Sequence, residues 1–172
     1  MIEFMSLEEQ VDKDFAVARR HAWLRRLKAF VLRRAVRGTL LCFDELRRSL
    51  RAVGGIDRGR RTVEISRIIG SSGKYDQFDD QFMPRATASA ERWKRIDRAV
   101  RRGIELPPVY LYKLGDIYFV KDGHNRVSVA RFHGAEWIDA EVTEFRAASS
   151  PVLAPETEGL PPVMLGTGLG LA

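Results

Sequence analysis

The sequence predicts an α+β fold in which a small mixed sheet with helices is preceded by a basic helical hairpin. Apolar residues alternate in short runs at 62–70, 109–114 and 117–121, which is typical of strands. Apolar residues recur at helical spacing over 11–37 and 89–102. A chain of 172 residues with 45% hydrophobic residues is long enough for one buried core and too short for two full-sized domains.

The N-terminal region, residues 1–56, is predicted to form the helical hairpin. In its first helix apolar residues repeat at intervals of seven, at Val17, Leu24 and Val31. Gly38 ends this helix, and a second short helix follows over 43–53. The short turn and exposed polar recognition face of a helix-turn-helix DNA reader are not evident. Packing against the next domain is therefore the predicted role of the apolar stripe.

Three segments follow the hairpin. Residues 57–61 (DRGRR) are polar and contain glycine, which indicates a linker. Residues 62–146 contain the remaining strands and helices and are predicted to form the mixed-sheet domain. Residues 147–172 hold four of the seven prolines and four of the fourteen glycines, which indicates a flexible tail.

Positive charge is concentrated near the N-terminus. The net charge of the chain is +6, but residues 13–61 carry fifteen Lys or Arg against four Asp or Glu, a net charge of +11. Such a segment favours a polyanion as partner, and the guanidinium fork of arginine suits phosphate. The candidates for DNA binding are five arginines of the first helix, Arg19, Arg20, Arg26, Arg33 and Arg34. A solvated helical face without a ligand explains the same charge run.

Composition excludes several classes of protein. No apolar run approaches the roughly 18–20 residues that span a bilayer, and the first ten residues are acidic, so neither a membrane protein nor a secreted one is expected. The single cysteine, Cys42, cannot form an internal disulfide, and three histidines are too few for a Cys/His zinc cage. We expect a cytoplasmic protein, with a homodimer as the candidate oligomer.

The most informative segment is IYFVKDGHNRVSVARFHG (117–134), in which a predicted strand ends in Asp-Gly and a helix begins shortly after. Glycine lets the backbone approach a ligand, and the free N–H groups of the first helical turn favour an anion. The candidates for phosphate binding are Asp122, Gly123, His124, Asn125 and Arg126. The alternative is that Asp122 and Asn125 only cap the helix.

The stretch KDGHNRVSVARFHG (121–134) resembles the signature box of the superfamily of sulfiredoxin and the ParB N-terminal domain, where a Gly-polar-polar-Arg turn holds nucleotide phosphates. The resemblance covers about residues 62–145. Within the superfamily the chain looks most like uncharacterised bacterial ParB-like nuclease-domain proteins, through the runs FDDQFMPRA, ERWKRIDRA and DAEVTEF. The resemblance implies a ParB/sulfiredoxin-like fold that binds a nucleoside triphosphate, ATP or CTP, with Mg²⁺ and is coupled to DNA.

Departures from the characterised members limit what the resemblance implies. Sulfiredoxin needs a nucleophilic cysteine where this chain has His124, and Cys42 lies in the predicted N-terminal helices, so sulfinic-acid reduction is excluded. ParB proteins carry Gly-Glu-Arg-Arg at this turn and a downstream helix-turn-helix domain, and this chain shows neither. Free serine kinases of the superfamily carry Asp-Gly-His, a polar residue and Arg, which is similar to 122–126. That similarity predicts nucleotide chemistry and leaves open whether phosphate is hydrolysed or transferred.

A second constellation is the acidic loop KYDQFDDQFMPR (74–85). Asp79 and Asp80 can hold Mg²⁺ beside a bound triphosphate or supply a general base, so the catalytic candidates are Asp79, Asp80 and His124. Metal bound by this loop would also suit a ParB-like nuclease. The alternative is that the carboxylates cap turns, while Phe78 and Phe82 are core residues that fix the loop.

Overall fold

The computed structural model describes residues 5–31, 39–74, 76–85 and 90–148, and of residues 26–31 the backbone alone. The described elements are helices α1 (Leu7–Val31), α2 (Phe43–Ser49), α3 (Ala90–Arg101) and α4 (His124–Phe132), and strands β1 (Leu41–Cys42), β2 (Val53–Glu64), β3 (Ile68–Ser71), β4 (Val109–Leu114), β5 (Ile117–Asp122) and β6 (Trp137–Arg146). The strands form a six-stranded mixed sheet in the order β1-β3-β5-β4-β6-β2. The predicted α+β class is confirmed.

The centre of the sheet is the predicted hairpin of β4 and β5. These strands pair antiparallel, while β6 joins β4 and β3 joins β5 in parallel. Val109, Leu111 and Val120 are almost completely buried in the core cluster on this part of the sheet. Phe78 and Phe82 belong to the same cluster and are fully buried. The alternative in which these two rings fix the acidic loop is therefore confirmed.

The first helix begins at Leu7, earlier than its apolar repeat indicates. Ser6 and Glu9 form a capping box: the Glu9 carboxylate accepts from the Ser6 N–H at 2.8 Å, and the Ser6 hydroxyl accepts from the Glu9 N–H at 3.3 Å. The acidic side chains of the first turns then meet α3, where Asp12 pairs with Lys94 at 2.8 Å. The acidic start of the chain is thus used to dock α1 on a basic face of α3.

The two N-terminal helices form, but within the described residues they do not pair as the predicted hairpin. α1 packs against α3, in a cluster that contains Phe15, Ala22 and Trp93. α2 lies in a different cluster, in which Phe43 meets Phe119 with the ring centroids 5.4 Å apart. An apolar stripe indicates that a helix is buried and does not specify its neighbour. The predicted packing of α1 against the next domain is found, and the described residues show no pairing of α1 with α2.

The predicted linker 57–61 is also wrong, because these residues lie inside β2, which pairs antiparallel with β6. Arg58 donates to Glu144 at 2.6 Å and Arg60 to Asp139 at 2.7 Å across this pair. Hydrogen bonds from Lys113 and then Arg58 lower the pKa of Glu144 to about 2. β2 is an edge strand and mostly exposed, so it lacks the apolar alternation that reveals a strand in sequence.

The predicted flexible tail, residues 147–172, lies outside the described residues except for Ala147 and Ala148. Within the part of the chain that is described, no helix is both long and apolar enough to cross a bilayer.

Candidate functional site

The turn between β5 and α4 is built on Gly123. Its φ of 96° lies in the left-handed region, which a residue with a Cβ adopts only under strain. A Cβ at this position would also lie 2.7 Å from Val109 Cγ1 and 3.0 Å from Arg126 Nη2. α4 begins at the next residue, and its N-cap residue, Gly123, has no side chain that could accept from the first N–H groups. These groups can therefore bind a ligand.

The cleft consists of two cavities that share lining residues. The first, of about 380 Å³, is lined by the turn, and we call it the turn arm. Arg92 and Arg95 of α3 and Lys74 of the loop after β3 also line it. The carboxyl ends of β3 and β5 meet at one edge of the sheet because these strands are parallel neighbours, which brings Lys74 to the turn. A second cavity of about 530 Å³, the helix arm, shares Lys74, Arg92, Arg95 and Asn125 with the turn arm.

These three cations, Lys74, Arg92 and Arg95, are exposed and form no ion pair with any described residue. Other basic residues of α3 are paired: Lys94 contacts Asp12, and Arg98 contacts Glu8. The basic residues on one side of α3 thus pair with the acidic residues of α1. Those on another side, Arg92 and Arg95, face the cleft without an ion-pair partner among the described residues. These residues were not among the predicted site residues, although Arg92 and Arg95 lie one helical turn apart, on one side of the helix.

The guanidinium of Arg126 is hydrogen-bonded to other residues of the protein. Its Nη1 donates to the carbonyl oxygens of Pro107 and Pro108, both at 2.6 Å, and its Nη2 to Asp122 at 3.0 Å. The guanidinium therefore fixes the start of α4 to the segment before β4. Both terminal nitrogens of the predicted phosphate fork already have partners, so Arg126 acts here as a positioning residue.

His124 is buried beneath the turn, and only 5% of its surface is exposed. Its ring stacks on Phe78 with the centroids 6.0 Å apart, and its Nε2 lies 2.6 Å from Ser71 Oγ. Ser71 donates its proton to the Gly73 carbonyl at 2.5 Å, so Nε2–H donates to Ser71. Burial, with Lys74 adding to it, lowers the pKa of His124 to about 4. The imidazole is neutral at pH 7 and is a weak base.

Asn125 carries an unsatisfied polar atom at the site. The residue is 8% exposed and lines both arms of the cleft. Its Oδ1 is buried and has no hydrogen-bond partner among the described residues. A buried acceptor without a donor costs free energy, roughly 1–3 kcal/mol. A ligand that brings an O–H or N–H group into the cleft would remove this cost.

Asp79 and Asp80 do not line either arm. Asp79 is buried, and its Oδ1 accepts from the backbone N–H groups of Gln81 at 2.9 Å and Met83 at 2.8 Å. Burial raises the pKa of Asp79. Asp80 pairs with Arg25 of α1 at 3.0 Å. The structure thus gives Asp79 the turn-capping role named as the alternative and pairs Asp80 with α1.

The donor set of the cleft does not fit the Mg²⁺ that the resemblance implies. Two carboxylates line the arms within the described residues. Asp122, in the turn arm, is paired with Arg126, and Glu91, in the helix arm, is exposed. Mg²⁺ in nucleotide sites is usually held by one or two carboxylates together with the phosphates. The turn arm instead presents cations, Lys74, Arg92 and Arg95, to the phosphates.

The predicted DNA-binding arginines are described in part. Arg19 and Arg20 are exposed on α1, Arg26 is described by its backbone alone, and Arg33 and Arg34 lie outside the described residues. Elsewhere in the basic segment, part of the positive charge is neutralised within the fold, as the pairs of Arg58 with Glu144 and Arg60 with Asp139 show.

Cys42 lies in β1, not in a helix as the sequence analysis expected. Its Cα partner on β3 is Ser71, the residue that contacts His124. The thiol is half-buried. Position 124 of the GHNR turn carries an imidazole and no thiol. A cysteine nucleophile at this turn is therefore excluded by the residue type.

A second cluster of ionisable groups lies where α1, α3 and α4 meet. Asp14, Asp97 and His133 approach within reach of one metal ion. Asp97 is fully buried and accepts from His133 Nε2 at 2.5 Å. Arg101 contacts Asp14 and lies 3.4 Å from Asp97. The Arg101 guanidinium supplies the positive charge between the carboxylates of Asp14 and Asp97. The contacts of this cluster therefore connect α1, α3 and the end of α4.

The chain has little similarity to known proteins. No protein-family model matches it, and no curated protein matches it either. Among solved structures, sulfiredoxin from Arabidopsis thaliana matches with a TM-score of 0.38 and 13% sequence identity, over 51% of this chain and 86% of that chain. A likeness of this size gives no residue of this chain a role.

Proposed function

We propose that this protein is a nucleoside-triphosphate-binding module whose ligand occupies the turn arm. The phosphates lie between the N-terminus of α4 and the side chains of Lys74, Arg92 and Arg95. The observation that carries the proposal is the convergence of these three cations, unpaired among the described residues, on a turn whose N–H groups have no side-chain cap. Free cations beside a helix N-terminus favour an anion with several charges.

The arrangement costs free energy without a ligand. Like charges that share a cleft repel one another, and the acidic residues of α1 neutralise a different set of basic side chains on α3. The buried Asn125 Oδ1 also lacks a donor among the described residues. A nucleotide satisfies both conditions, because it brings phosphate anions together with hydroxyl and amino donors on its sugar and base.

The resemblance of GHNR (123–126) to the turn that holds nucleotide phosphates in the ParB and sulfiredoxin superfamily supports the same ligand class. Binding is the activity that the geometry supports best. The candidate bases are engaged elsewhere: His124 with Ser71, Asp79 with backbone N–H groups, and Asp80 with Arg25. Hydrolysis and phosphate transfer are therefore left out of the proposal.

A thermal-shift assay tests the proposal with ATP, CTP, GTP and UTP, each with Mg²⁺ and with EDTA. A ligand at one hundred times its dissociation constant stabilises the native state by about 2.7 kcal/mol. For a chain of this size each kcal/mol raises the melting temperature by about 2–4 °C, so the expected rise is about 5–11 °C. No rise with any nucleotide would refute the proposal.

The decisive variant is Arg92→Ala/Arg95→Ala, which removes two of the three free cations from the cleft. Its matched control is Arg19→Ala/Arg20→Ala, which removes the same charge from exposed positions on α1. We expect the first variant to lose the shift and the second to keep it. A shift retained in the cleft variant would place the ligand elsewhere. Arg126→Ala is a poorer test, because it also releases the backbone carbonyls that Arg126 holds.

A further inference from the structure

We propose that the cleft prefers the metal-free polyphosphate chain of its ligand to the Mg²⁺ complex. The inference rests on the proposed function and concerns the charge state of the ligand. It follows from a comparison of the cations and the carboxylates that line the two arms.

The turn arm is strongly cationic. Lys74, Arg92, Arg95 and Arg126 line it, against the single carboxylate of Asp122. Asp122 and Arg126 form an ion pair at 3.0 Å, so their charges offset each other. The remaining three cations form no ion pair with any described residue. A polyanion that enters the arm therefore meets fixed positive charge on the protein before any metal is added.

Apart from Glu91, the candidate carboxylate ligands for Mg²⁺ lie outside both arms or are already paired. Asp79 and Asp80 lie outside both arms and are bonded to backbone N–H groups and to Arg25. Glu91 lines the helix arm and is exposed there, as the one carboxylate of the arms that no described residue pairs. Residue 75 and residues 86–89, which adjoin Lys74 and α3 in the sequence and are not described, contain no Asp or Glu.

Electrostatics then determines which form of the ligand binds. Mg²⁺ neutralises two negative charges of the phosphate chain, and those charges are the ones that the guanidinium and ammonium groups attract. The metal also occupies phosphate oxygens that could accept from arginine and from the first N–H groups of α4. A site with few free carboxylates regains little of this loss through metal coordination.

Isothermal titration calorimetry with the full chain and ATP provides the test, once in EDTA and once in excess MgCl₂, with NaCl added to match the ionic strength. Matching is needed because salt screens such contacts. We expect the dissociation constant to be about tenfold lower in EDTA, equivalent to about 1.4 kcal/mol. Equal affinity, or tighter binding with Mg²⁺, would overturn this inference and leave the proposed function intact. Absence of binding in both buffers, for ATP and likewise for CTP, GTP and UTP, would remove the proposed function and this inference with it.

Two variants separate the charge effect from an unspecific one. Arg95→Gln removes one cation of the cleft and should reduce the preference for the metal-free ligand to about threefold. Arg102→Gln removes an exposed cation just beyond α3 that lines neither arm, and the tenfold preference should persist. Equal effects of the two substitutions would contradict the inference. So would tight Mg²⁺-dependent binding that Glu91→Gln abolishes, because Glu91 would then be a metal ligand.

Discussion

Gly123→Ala is expected to destabilise the protein strongly, through the turn that positions the cleft. Gly123 has a φ of 96°, and a Cβ added there would lie 2.7 Å from Val109 Cγ1. Val109 is 1% exposed and belongs to the central core cluster, so it cannot move aside freely. The substitution therefore combines backbone strain with overpacking of the core.

The magnitude follows from these two contributions. A left-handed conformation costs a residue with a Cβ about 1–2 kcal/mol, and an overpacked core contact costs about 1–3 kcal/mol. The lower entropy of the unfolded alanine variant offsets about 0.4–1 kcal/mol. The net loss in the free energy of unfolding is about 1–5 kcal/mol, centred on about 3 kcal/mol. Urea unfolding followed by circular dichroism measures it, and at that centre the melting temperature should fall by about 6–12 °C.

Gly115→Ala is the matched control. Gly115 has a φ of 61° in the turn between β4 and β5, and a Cβ there would meet no atom within 4 Å. The control carries the backbone strain alone, and a loss of about 1 kcal/mol or less is expected. In a double-mutant cycle, Val109→Ala should partly rescue Gly123→Ala, with a favourable coupling of at least about 1 kcal/mol. Equal losses for the two glycine variants, without coupling to Val109, would refute the packing argument.

Three further predictions address pH, helix docking and DNA. Burial holds the pKa of His124 in the folded protein at about 4, below the ordinary value of 6.5, so the free energy of unfolding should fall by up to about 3 kcal/mol as the pH drops from 6.5 to about 4. His124→Gln should flatten this part of the stability curve, and an unchanged slope, or the same flattening in the control His21→Gln, would contradict the assignment. Asp97→Asn removes a fully buried carboxylate between α3 and α4 and should cost about 1–3 kcal/mol in urea unfolding, whereas a loss under about 0.5 kcal/mol would exclude the proposed docking role. If α1 binds DNA, Arg19→Ala/Arg20→Ala should weaken binding in fluorescence anisotropy and reduce the salt slope by about two, and the DNA prediction fails if the wild-type slope persists.

Local elements were predictable where one short stretch of sequence specifies them. The hairpin of β4 and β5, the helix α3 and the strand–glycine–helix turn at 122–126 follow from hydrophobic period and turn chemistry, and the structure has all three. β2 was not predictable in the same way, because an exposed edge strand held by its backbone and by cross-strand charge pairs has no apolar period. For α1 the sequence predicted packing against the next domain and not which element of it, because many neighbours can cover an apolar stripe; the structure identifies that element as α3.

The sequence by itself determined the elements of the site: the glycine that the turn requires, the helix that follows it and a surplus of arginine. Only the tertiary structure decided which cations lie beside that turn. Parallel pairing of β3 with β5 brings Lys74 to it, and the packing of α3 adds Arg92 and Arg95. Tertiary contacts also pair Arg126 with the backbone carbonyls of Pro107 and Pro108, and Asp80 with Arg25 of α1. Charge is visible in sequence, but whether a charge is paired depends on neighbours that are distant along the chain.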